Sequence, residues 1–507
     1  MTTQQEKKVL AVLERTPVAA VATSAGRALR NRMMHYAFDE DLNCYLASMK
    51  GDPKTVQITH HPSVALLVYD RGDEIGDSRE VEISGKAVIV KDRERAKALE
   101  LNAQRSPVVA HLVEAGNEAV LDCIKVTPEI VKLRVFREIV QGMPPTVIEF
   151  PENRTAVSDW ALIKTKLSSW RVALRLPFLT ASLVPVLLGT TMAWAGRVAI
   201  HWGNLALTLI AALLLHSGAN LLNDYFDHLS GGDEANIEYV RPFSGGSRVI
   251  QLGLLAPLEV LIGGLVLFAV ACAIGLYLAW VKGPLILVLG AIGVASGLFY
   301  TAPVFNWASR GLGELLAGLN FGVLMTVGAY FVQAGSLELP PVVASVLLAF
   351  FAAAVLFVNE FPDYRADRAV GKSTLVVRLG RRRSTVVFGA LMLSAYGVLM
   401  VGVFVGALPP ATLFGLVTLP LSWRAVQYVR QYHSSSFDLV PANALTVITH
   451  LATGLLLALA YAWQGFGRQG WTRVAVLGVL SAALVAYVHR YIERQKDRFL
   501  SVRQAVR

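Results

Sequence analysis

The sequence has few cysteines and few charged residues for its length, and both shortages argue against certain kinds of site and classes of protein. Only three cysteines occur in 507 residues, Cys44, Cys123 and Cys272, and no two of them form a CxxC pair. This spacing argues against a disulfide framework and against a zinc site. Charged residues make up 17% of the chain and hydrophobic residues 54%, a larger apolar share than soluble domains usually have.

The first 17 residues, MTTQQEKKVLAVLERTP, lack the apolar stretch of a secretory signal peptide. We therefore expect no cleavable signal and a first domain that stays in the cytosol. The net charge of +10 raises the question of nucleic acid. The cations, however, lie mostly between apolar runs and in the tail 489–507, as is typical of multi-pass membrane proteins, so we expect no nucleic-acid partner.

Apolar residues are distributed unevenly along the chain. Up to about residue 171 charges are frequent, whereas later runs such as 176–195 and 260–281 have the roughly 20 apolar residues that cross a bilayer. The sequence predicts an all-α bundle of nine to ten spans, in an inner (cytoplasmic) membrane. The ten candidate segments are 176–195, 203–223, 260–281, 285–303, 313–333, 341–360, 385–406, 411–425 (the weakest), 444–463 and 472–488.

The first part of the chain has short runs rich in Val, Ile and Tyr between polar turns, which predicts a small β-barrel in a domain of residues 1–140. The expected strands are 18–23, 42–48, 63–69, 80–90 and 130–136, with helices at 92–104 and 108–115. Residues 141–170 are expected to form a linker followed by an amphipathic segment at the membrane surface, rich in Trp and basic residues. Residues 171–507 form the expected membrane domain.

The first chemical signal is HSGANLLNDYFDHLSGGD at 216–233, where the second span ends. Asn220, Asp224 and Asp227 are spaced so that they share one face of a helix. Ionised carboxylates at a membrane boundary are unfavourable unless they are paired or bind a metal. Their hard oxygen atoms favour Mg²⁺, an ion that commonly also binds substrate phosphates. Asp233 follows a Gly pair and is placed to reach the same cluster.

The second signal is NEFPDYRADRAVGKSTLVVRLGRRR at 359–383, where the sixth span ends. Asn359, Asp363 and Asp367 again recur at helical spacing. Pro362 lacks an amide donor, so we expect a break in the helix there. Arg368 and Lys372 follow and are suited to binding phosphate oxygens. With the N-terminus in the cytosol, both acidic motifs are expected on the cytosolic side.

These motifs carry a family resemblance. NxxNDYxD followed by DxxxDRxxGKxTLxVRLG resembles the UbiA-type intramembrane prenyltransferases, and most of all the 1,4-dihydroxy-2-naphthoate polyprenyltransferases of menaquinone biosynthesis. The stretches 241–255 and 300–315, and Arg175 before the first span, are similar to that branch. Gly231 stands where many relatives have a third Asp, and Asp233 follows two residues later, which also favours this branch.

The resemblance implies Mg²⁺-dependent transfer of a prenyl group from a polyprenyl diphosphate to an aromatic acceptor within the lipid bilayer. Asn220, Asp224 and Asp227 would hold one Mg²⁺ ion, and Asp363 and Asp367 a second, these four aspartates being the expected catalytic residues. Substrate binding falls to Arg248, Arg368, Lys372, Asn359, Arg310 and Asp233.

The first domain has a resemblance of its own. The stretches 26–70 and 79–92 resemble pyridoxamine-phosphate-oxidase-type split barrels that bind FMN. In that family, basic residues on an early strand and in the following loop hold the FMN phosphate, and the matching positions are Arg30, Arg32, Lys54 and Thr55. The family often has Arg-Lys in this loop, where this chain has Pro53 and Lys54.

Two other functions stay open on the sequence alone. A prenyltransferase with a glycerol-phosphate or other lipid acceptor would share the acidic motifs and differ only in its acceptor pocket. A membrane transporter or sensor gated by the flavin domain would release no diphosphate. CDP-alcohol phosphotransferases also use acidic clusters, but their characteristic spacing is absent after Asp227.

Overall fold

The computed structural model describes residues 3–25, 28–153, 159–236, 238–240, 243–467 and 470–504. Arg241 and Arg468, two of the cations that lie between predicted spans, are outside these ranges, as are the last three residues of the basic tail. The chain divides into two units. The first comprises Met1–Trp170, Val249–Ala256 and Arg498–Arg507, and the second Arg171–Arg248 and Pro257–Asp497.

The first unit contains a closed barrel of six antiparallel strands. The neighbours run in the order β3, β2, β1, β4, β5 and β6, and β6 pairs back with β3 to close the barrel, while β7 extends from β6. The small barrel predicted from the sequence is therefore confirmed. The strands are β1 (Val18–Ala25), β2 (Ala28–Phe38), β3 (Cys44–Met49), β4 (Ser63–Asp70), β5 (Arg79–Ile89), β6 (Leu121–Val135) and β7 (Thr146–Glu149).

Alternating strand residues point inward and form the core of the barrel, including Leu46, Leu66 and Ile83. Three strands differ from expectation. β6 begins at Leu121, nine residues before the predicted start at residue 130. β2 was not predicted, because the charged and polar residues in its first half hide its alternation. β7 lies in the segment expected to be a linker, and it pairs with β6. The helices are α1 (Gln4–Arg15), α2 (Pro53–His60), α3 (Asp92–Arg105), α4 (Pro107–Glu114) and α5 (Phe136–Val140).

The rest of the chain is helical. After α6 (Asp159–Ala173), where the sequence predicts an interfacial segment, come α7 (Thr180–Ala195), α8 (Trp202–Leu229), α9 (Gly232–Ala235), α10 (Pro257–Lys282), α11 (Leu285–Leu298), α12 (Gly313–Gly318), α13 (Met325–Ala334), α14 (Leu339–Ala369), α15 (Leu375–Leu379), α16 (Arg381–Phe404), α17 (Leu419–Tyr432), α18 (Val440–Phe466) and α19 (Trp471–Gln504). A π-helical turn, Leu319–Leu324, joins α12 to α13.

Within the described residues, eight helical segments are long and apolar enough to cross a membrane, so this is a multi-pass membrane protein. The count is close to the nine to ten expected. The two segments that fall short are the fourth and the eighth. The fourth, α11, has only 14 residues. The eighth is a 3₁₀ segment, Pro410–Thr418, that precedes α17.

α14 lies near the centre of the bundle, where it packs against α12, α16 and α18. Its apolar side chains Phe351 and Phe357 are fully buried in the largest core cluster. α7 packs against α13 closely enough that a Cβ added at Gly189 would lie 2.2 Å from the carbonyl oxygen of Thr326. Small residues permit such close helix approach inside membranes.

The break expected at Pro362 is wrong, because α14 continues through it to Ala369. A proline leaves the carbonyl four residues earlier, here that of Val358, without its helical donor. Asn443 on α18 replaces that donor, since its side-chain nitrogen lies 3.2 Å from the Val358 oxygen. Inside a membrane such a bond from a neighbouring helix lets proline stay within a continuous helix.

Candidate active site

The end of α8 places the first acidic motif on one helical face. Asn220, Asp224 and Asp227 lie on successive turns, as predicted. Asp224 is only 2% exposed and accepts hydrogen bonds from the Arg175 guanidinium and from the Ser247 hydroxyl. The buried side-chain nitrogen of Asn220 has no hydrogen-bond partner in the described part of the chain.

The loop after α8 folds back over this face. Asp233 is 4% exposed, and burial, followed by the charges of Asp227 and Asp224, raises its pKa to about 8. Gly246 packs closely against two of these acids. A Cβ at this position would lie 2.9 Å from one Asp224 oxygen and 3.2 Å from one Asp233 oxygen. Its φ of +69° also favours glycine. The carboxylates are therefore crowded together by the fold itself.

The second acidic motif meets the first. Asp363 and Asp367 lie one turn apart near the end of α14, and Lys372 follows in the next loop. Lys372 forms an ion pair with Asp227 of the first motif, and although burial opposes it, Asp227 and Asp367 raise the pKa of Lys372 above its usual value. The Asn236 amide donates to an Asp363 oxygen at 2.6 Å, which ties the loop after α8 to α14.

Both motifs open into one cavity of about 700 Å³ within the second unit. Its polar end is lined by Asn220, Asp227, Asp233, Asn359, Asp363, Asp367 and Lys372. Beyond them the wall is apolar, with residues of α8, α10, α11 and α13 such as Phe268, Leu278 and Val332. A charged end joined to a long apolar region is complementary to an amphiphile with an anionic head.

Not all of the predicted substrate-binding residues reach the cavity. Arg310 and Arg368 are exposed, and neither is among the residues that line it. Arg248, with a φ of +62°, donates to the backbone oxygens of Asp233 and Asn236, so it positions the loop after α8.

Sequence reasoning missed several groups that contact the acidic residues. Arg175 was noted only as a branch feature, yet it bonds to Asp224. Ser247 and Asn236 escaped notice because single Ser and Asn residues carry no spacing signal. The stretch around Gly246, SGGS, was the available clue, since two glycines beside an acidic motif indicate a tight backbone approach.

The acidic residues fit Mg²⁺ only if substrate completes its coordination. Among the residues described, no three His, Cys, Asp or Glu side chains form a metal site by themselves. Mg²⁺ commonly binds one or two carboxylates together with water and substrate phosphates. The crowding that raises the pKa of Asp233 marks a place where a cation would be stabilised. The donor set thus fits Mg²⁺ bound together with a diphosphate.

The predicted flavin-phosphate residues also lie near one another, at the start of α2 and on β2. The Arg32 guanidinium donates to Thr23 and to Gln57, and burial lowers its pKa. Lys54 forms a 2.9 Å ion pair with Asp52, the N-cap of α2.

Other groups near this cluster are also engaged. The Thr55 hydroxyl donates to the Asp52 carbonyl oxygen, while Arg30 on β2 is exposed. The Gln57 amide donates to the carbonyl of Leu252, a residue of the same unit. The cluster offers an anion two arginines and one lysine, but its lysine already has a carboxylate partner.

Comparison with known proteins agrees with both parts of the chain. Residues 182–440 match the model of the UbiA prenyltransferase family, which is about half of the chain. The chain belongs to the UbiA prenyltransferase family. Its membrane domain is a prenyltransferase, and this excludes the transporter and sensor alternative. Residues 5–133 match the pyridoxamine 5'-phosphate oxidase model, in agreement with the split barrel.

Two named relatives each match more than half of the chain. The 2-carboxy-1,4-naphthoquinone phytyltransferase of Synechocystis is 29% identical over 300 residues, which are 59% of this chain and 94% of that protein. The 1,4-dihydroxy-2-naphthoate octaprenyltransferase of Mycobacterium tuberculosis is 29% identical over 58% of this chain and 97% of its own length. A putative pyridoxamine 5'-phosphate oxidase from Listeria innocua is 25% identical, over 26% of this chain and 99% of that one, with a TM-score of 0.22.

Proposed function

We propose that this UbiA-family enzyme transfers a polyprenyl group from polyprenyl diphosphate to 1,4-dihydroxy-2-naphthoate, with Mg²⁺, in menaquinone biosynthesis. The observation that carries the proposal is the single cavity in which both acidic motifs and Lys372 form one end and apolar side chains the rest. The diphosphate occupies the charged end, and the isoprenoid chain lies along the apolar wall, where its burial is favourable.

Each motif has a defined part in holding the leaving group. Asn220, Asp224 and Asp227 would hold one Mg²⁺, and Asp363 and Asp367 the other. When bound, the ions would supply the positive charge that stabilises the diphosphate as a leaving group. Lys372 moves from its ion pair with Asp227 to bind a phosphate oxygen, and Arg175 keeps Asp224 oriented.

The acceptor is inferred from the relatives, whose printed names specify naphthoate or naphthoquinone substrates. The electron-rich ring attacks the allylic carbon through the ring carbon that carries the carboxylate. The new C–C bond forms while the C–O bond to diphosphate breaks, and the carboxylate leaves as CO₂. The apolar wall of the cavity keeps water from the allylic carbon, which prevents hydrolysis.

The proposal also includes the cellular location of the enzyme and a flavin cofactor in the barrel. The placement of Arg and Lys between the spans supports a cytoplasmic membrane location, with the barrel and the acidic motifs facing the cytosol. In the barrel, Arg30, Arg32, Lys54 and Thr55 would hold the phosphate of FMN. A bound flavin would supply redox chemistry within the same chain as a quinol-forming enzyme.

The test is a transfer assay with the purified full-length protein, polyprenyl diphosphate and a panel of acceptors, with products identified by mass spectrometry. We expect a prenylated naphthoquinol with loss of CO₂, and no product after chelation of Mg²⁺. A product formed only with a glycerol phosphate would instead establish the lipid-acceptor alternative. Diphosphate release without any acceptor product would contradict both.

A further inference from the structure

The second unit contains another cavity, separate from the one that holds the acidic motifs. It has a volume of about 500 Å³ and lies between α17, α18 and the later turns of α19. The residues that line it are all different from those that line the large cavity. It is therefore a second candidate binding site, which we call the α17–α19 cavity.

One face of α17 forms a polar wall of this cavity. Arg424, Gln427 and Gln431 recur at intervals of three and four residues, which places them on one side of the helix, and all three line the cavity. On the other side of α17, Ala425 and Val429 are fully buried in the largest core cluster. The polar side of α17 therefore points away from the core of the bundle and into the cavity.

α19 forms the wall opposite α17. His489 and Glu493 lie one turn apart on this helix, and both line the cavity. Among the described side chains of α19, only Val488 and Ile492 are buried. α19 thus packs against the bundle over a short stretch, and the cavity lies beside that stretch.

The third wall is apolar and belongs to α18. Ala444, Leu445 and Ile448 line the cavity there. On α17, the rings of Tyr428 and Tyr432 also line it and stack on each other, with their centroids 5.8 Å apart. A cavity with charged groups on two walls and an apolar third wall is complementary to an amphiphile.

The α17–α19 cavity lies on the side of the membrane domain where the acidic motifs lie. It reaches Pro441 in the first turn of α18, close to the loop that follows α17. In that loop the Ser434 carbonyl accepts a hydrogen bond from Arg381, which also donates to the Phe361 carbonyl near the end of α14. Basic pockets between membrane helices at such a boundary bind lipid head groups.

The charges in the cavity are of both signs. In the part of the chain that the structure describes, Arg424 and His489 have no ion-pair partner. Both can donate to a phosphate oxygen. Glu493 brings a carboxylate, whose two oxygens can accept several hydrogen bonds. A purely anionic head group would be repelled by Glu493, whereas one that also carries an ammonium group matches both signs.

We propose that the α17–α19 cavity binds a membrane phospholipid whose head group carries a phosphate and an ammonium group, as phosphatidylethanolamine does. Arg424 and His489 bind the phosphate, and Glu493 accepts from the ammonium group. The acyl chains lie against the apolar wall of α18, where their burial is favourable. The inference does not depend on the proposed function, because this cavity shares no residue with the prenyl-transfer site.

The experiment measures lipid binding to the full-length protein in detergent by native mass spectrometry. Four probes are titrated: phosphatidylethanolamine, phosphatidylglycerol with the same acyl chains, glycerophosphoethanolamine, which lacks acyl chains, and inorganic phosphate. We expect one phosphatidylethanolamine per chain, and phosphatidylglycerol to bind roughly fivefold more weakly because it has no ammonium group. The two soluble probes should not bind at the concentrations that saturate the lipid.

Two variants test the two charges separately. Arg424→Gln keeps a long polar side chain without the charge, and should weaken both lipids at least about tenfold. Glu493→Gln should weaken phosphatidylethanolamine roughly fivefold and leave phosphatidylglycerol within about twofold. Arg383→Gln is the matched control, because Arg383 is an exposed arginine of α16 that does not line the cavity, and it should leave both lipids unchanged.

Three results would overturn the proposal. Lipid binding by Arg424→Gln that equals wild-type binding would mean that the lipid binds elsewhere. Soluble probes that bind as tightly as the lipids would mean that the cavity is a site for free phosphate. If wild-type protein binds both lipids equally and Glu493→Gln changes neither, the head group needs no ammonium group and the assignment of Glu493 is wrong.

Discussion

The membrane site and the barrel cluster both gather charged residues from separate stretches of chain, but they hold them differently. In the membrane domain, acids from α8 and α14 are buried or half-buried and are contacted by Lys372, Arg175 and Asn236. In the barrel, Arg30 is exposed and Lys54 is paired with its neighbour Asp52. A buried charge is costly without a partner, so these contacts hold the acids of the membrane site in one arrangement.

The largest effect should come from the aspartates of the membrane site. Asp224→Asn and Asp363→Asn each remove a negative charge from the proposed Mg²⁺–diphosphate site while keeping the shape of the side chain. We expect each to lower turnover at least about a hundredfold. The measurement is the rate of prenyl transfer by protein whose insertion and folding are verified.

Asp438→Asn provides the matched control, because Asp438 is an exposed acid in the loop before α18. It should retain near-normal turnover. Near-normal transfer by either Asp224→Asn or Asp363→Asn would contradict the two-motif clamp.

The sequence predicted the acidic motifs of this site because their spacing matches a helix, and the family resemblance placed them together. It did not predict the groups that hold them. Asn236 and Ser247 reach the aspartates through the path of the chain after α8, and Arg175 reaches Asp224 from the segment before α7. No local sequence pattern indicates these contacts.

The next largest effect tests the barrel. Lys54→Glu puts an anion beside the proposed phosphate position and should weaken FMN binding at least about thirtyfold. The measurement is fluorescence titration of the full-length protein with FMN. Lys8→Glu, an equal charge change at an exposed position of α1, should leave binding unchanged.

This titration decides whether the barrel binds its ligand through a looser site or has no flavin site at all. If the wild-type protein binds no FMN at micromolar concentrations, the barrel has kept its fold without the flavin site. The ion pair of Lys54 with Asp52 would then be a structural contact.

A smaller effect distinguishes the two cations that follow the second acidic motif. Lys372→Ala should raise the KM for polyprenyl diphosphate roughly tenfold and leave that for the acceptor within about twofold. Arg368→Ala should change either value by less than about threefold, because Arg368 is exposed and does not line the cavity. Equal losses from both variants would mean that the exposed arginine also reaches the substrate.

α14 is a case in which local sequence rules give a wrong prediction in the membrane domain. Local rules predict a break at Pro362, and the helix continues because Asn443, 81 positions later, supplies the missing donor. In the barrel, the strands with clear alternation were predicted, and β2 was missed because its buried residues are mixed with arginines. In both regions the failures come from tertiary partners that the local sequence does not contain.

The smallest expected effect tests this compensation directly. Asn443→Ala removes the bonds to the Val358 carbonyl and, at 2.7 Å, to the Asn359 side chain. We expect it to destabilise the bundle by about 1–3 kcal/mol, seen as a lower thermal unfolding midpoint of the protein in detergent. Pro362→Ala restores an amide that can bond to Val358, so in that background the loss from Asn443→Ala should be smaller.

A control on the same helix makes this difference interpretable. The Thr446 hydroxyl donates to the Ala442 carbonyl within α18, away from Pro362, so Thr446→Ala should cost the same in both backgrounds. If Asn443→Ala costs as much in the Pro362→Ala background as in the wild-type protein, the Val358 bond contributes nothing measurable. The main role of Asn443 would then be to orient Asn359, which lines the cavity, and its substitution should lower prenyl transfer more than stability.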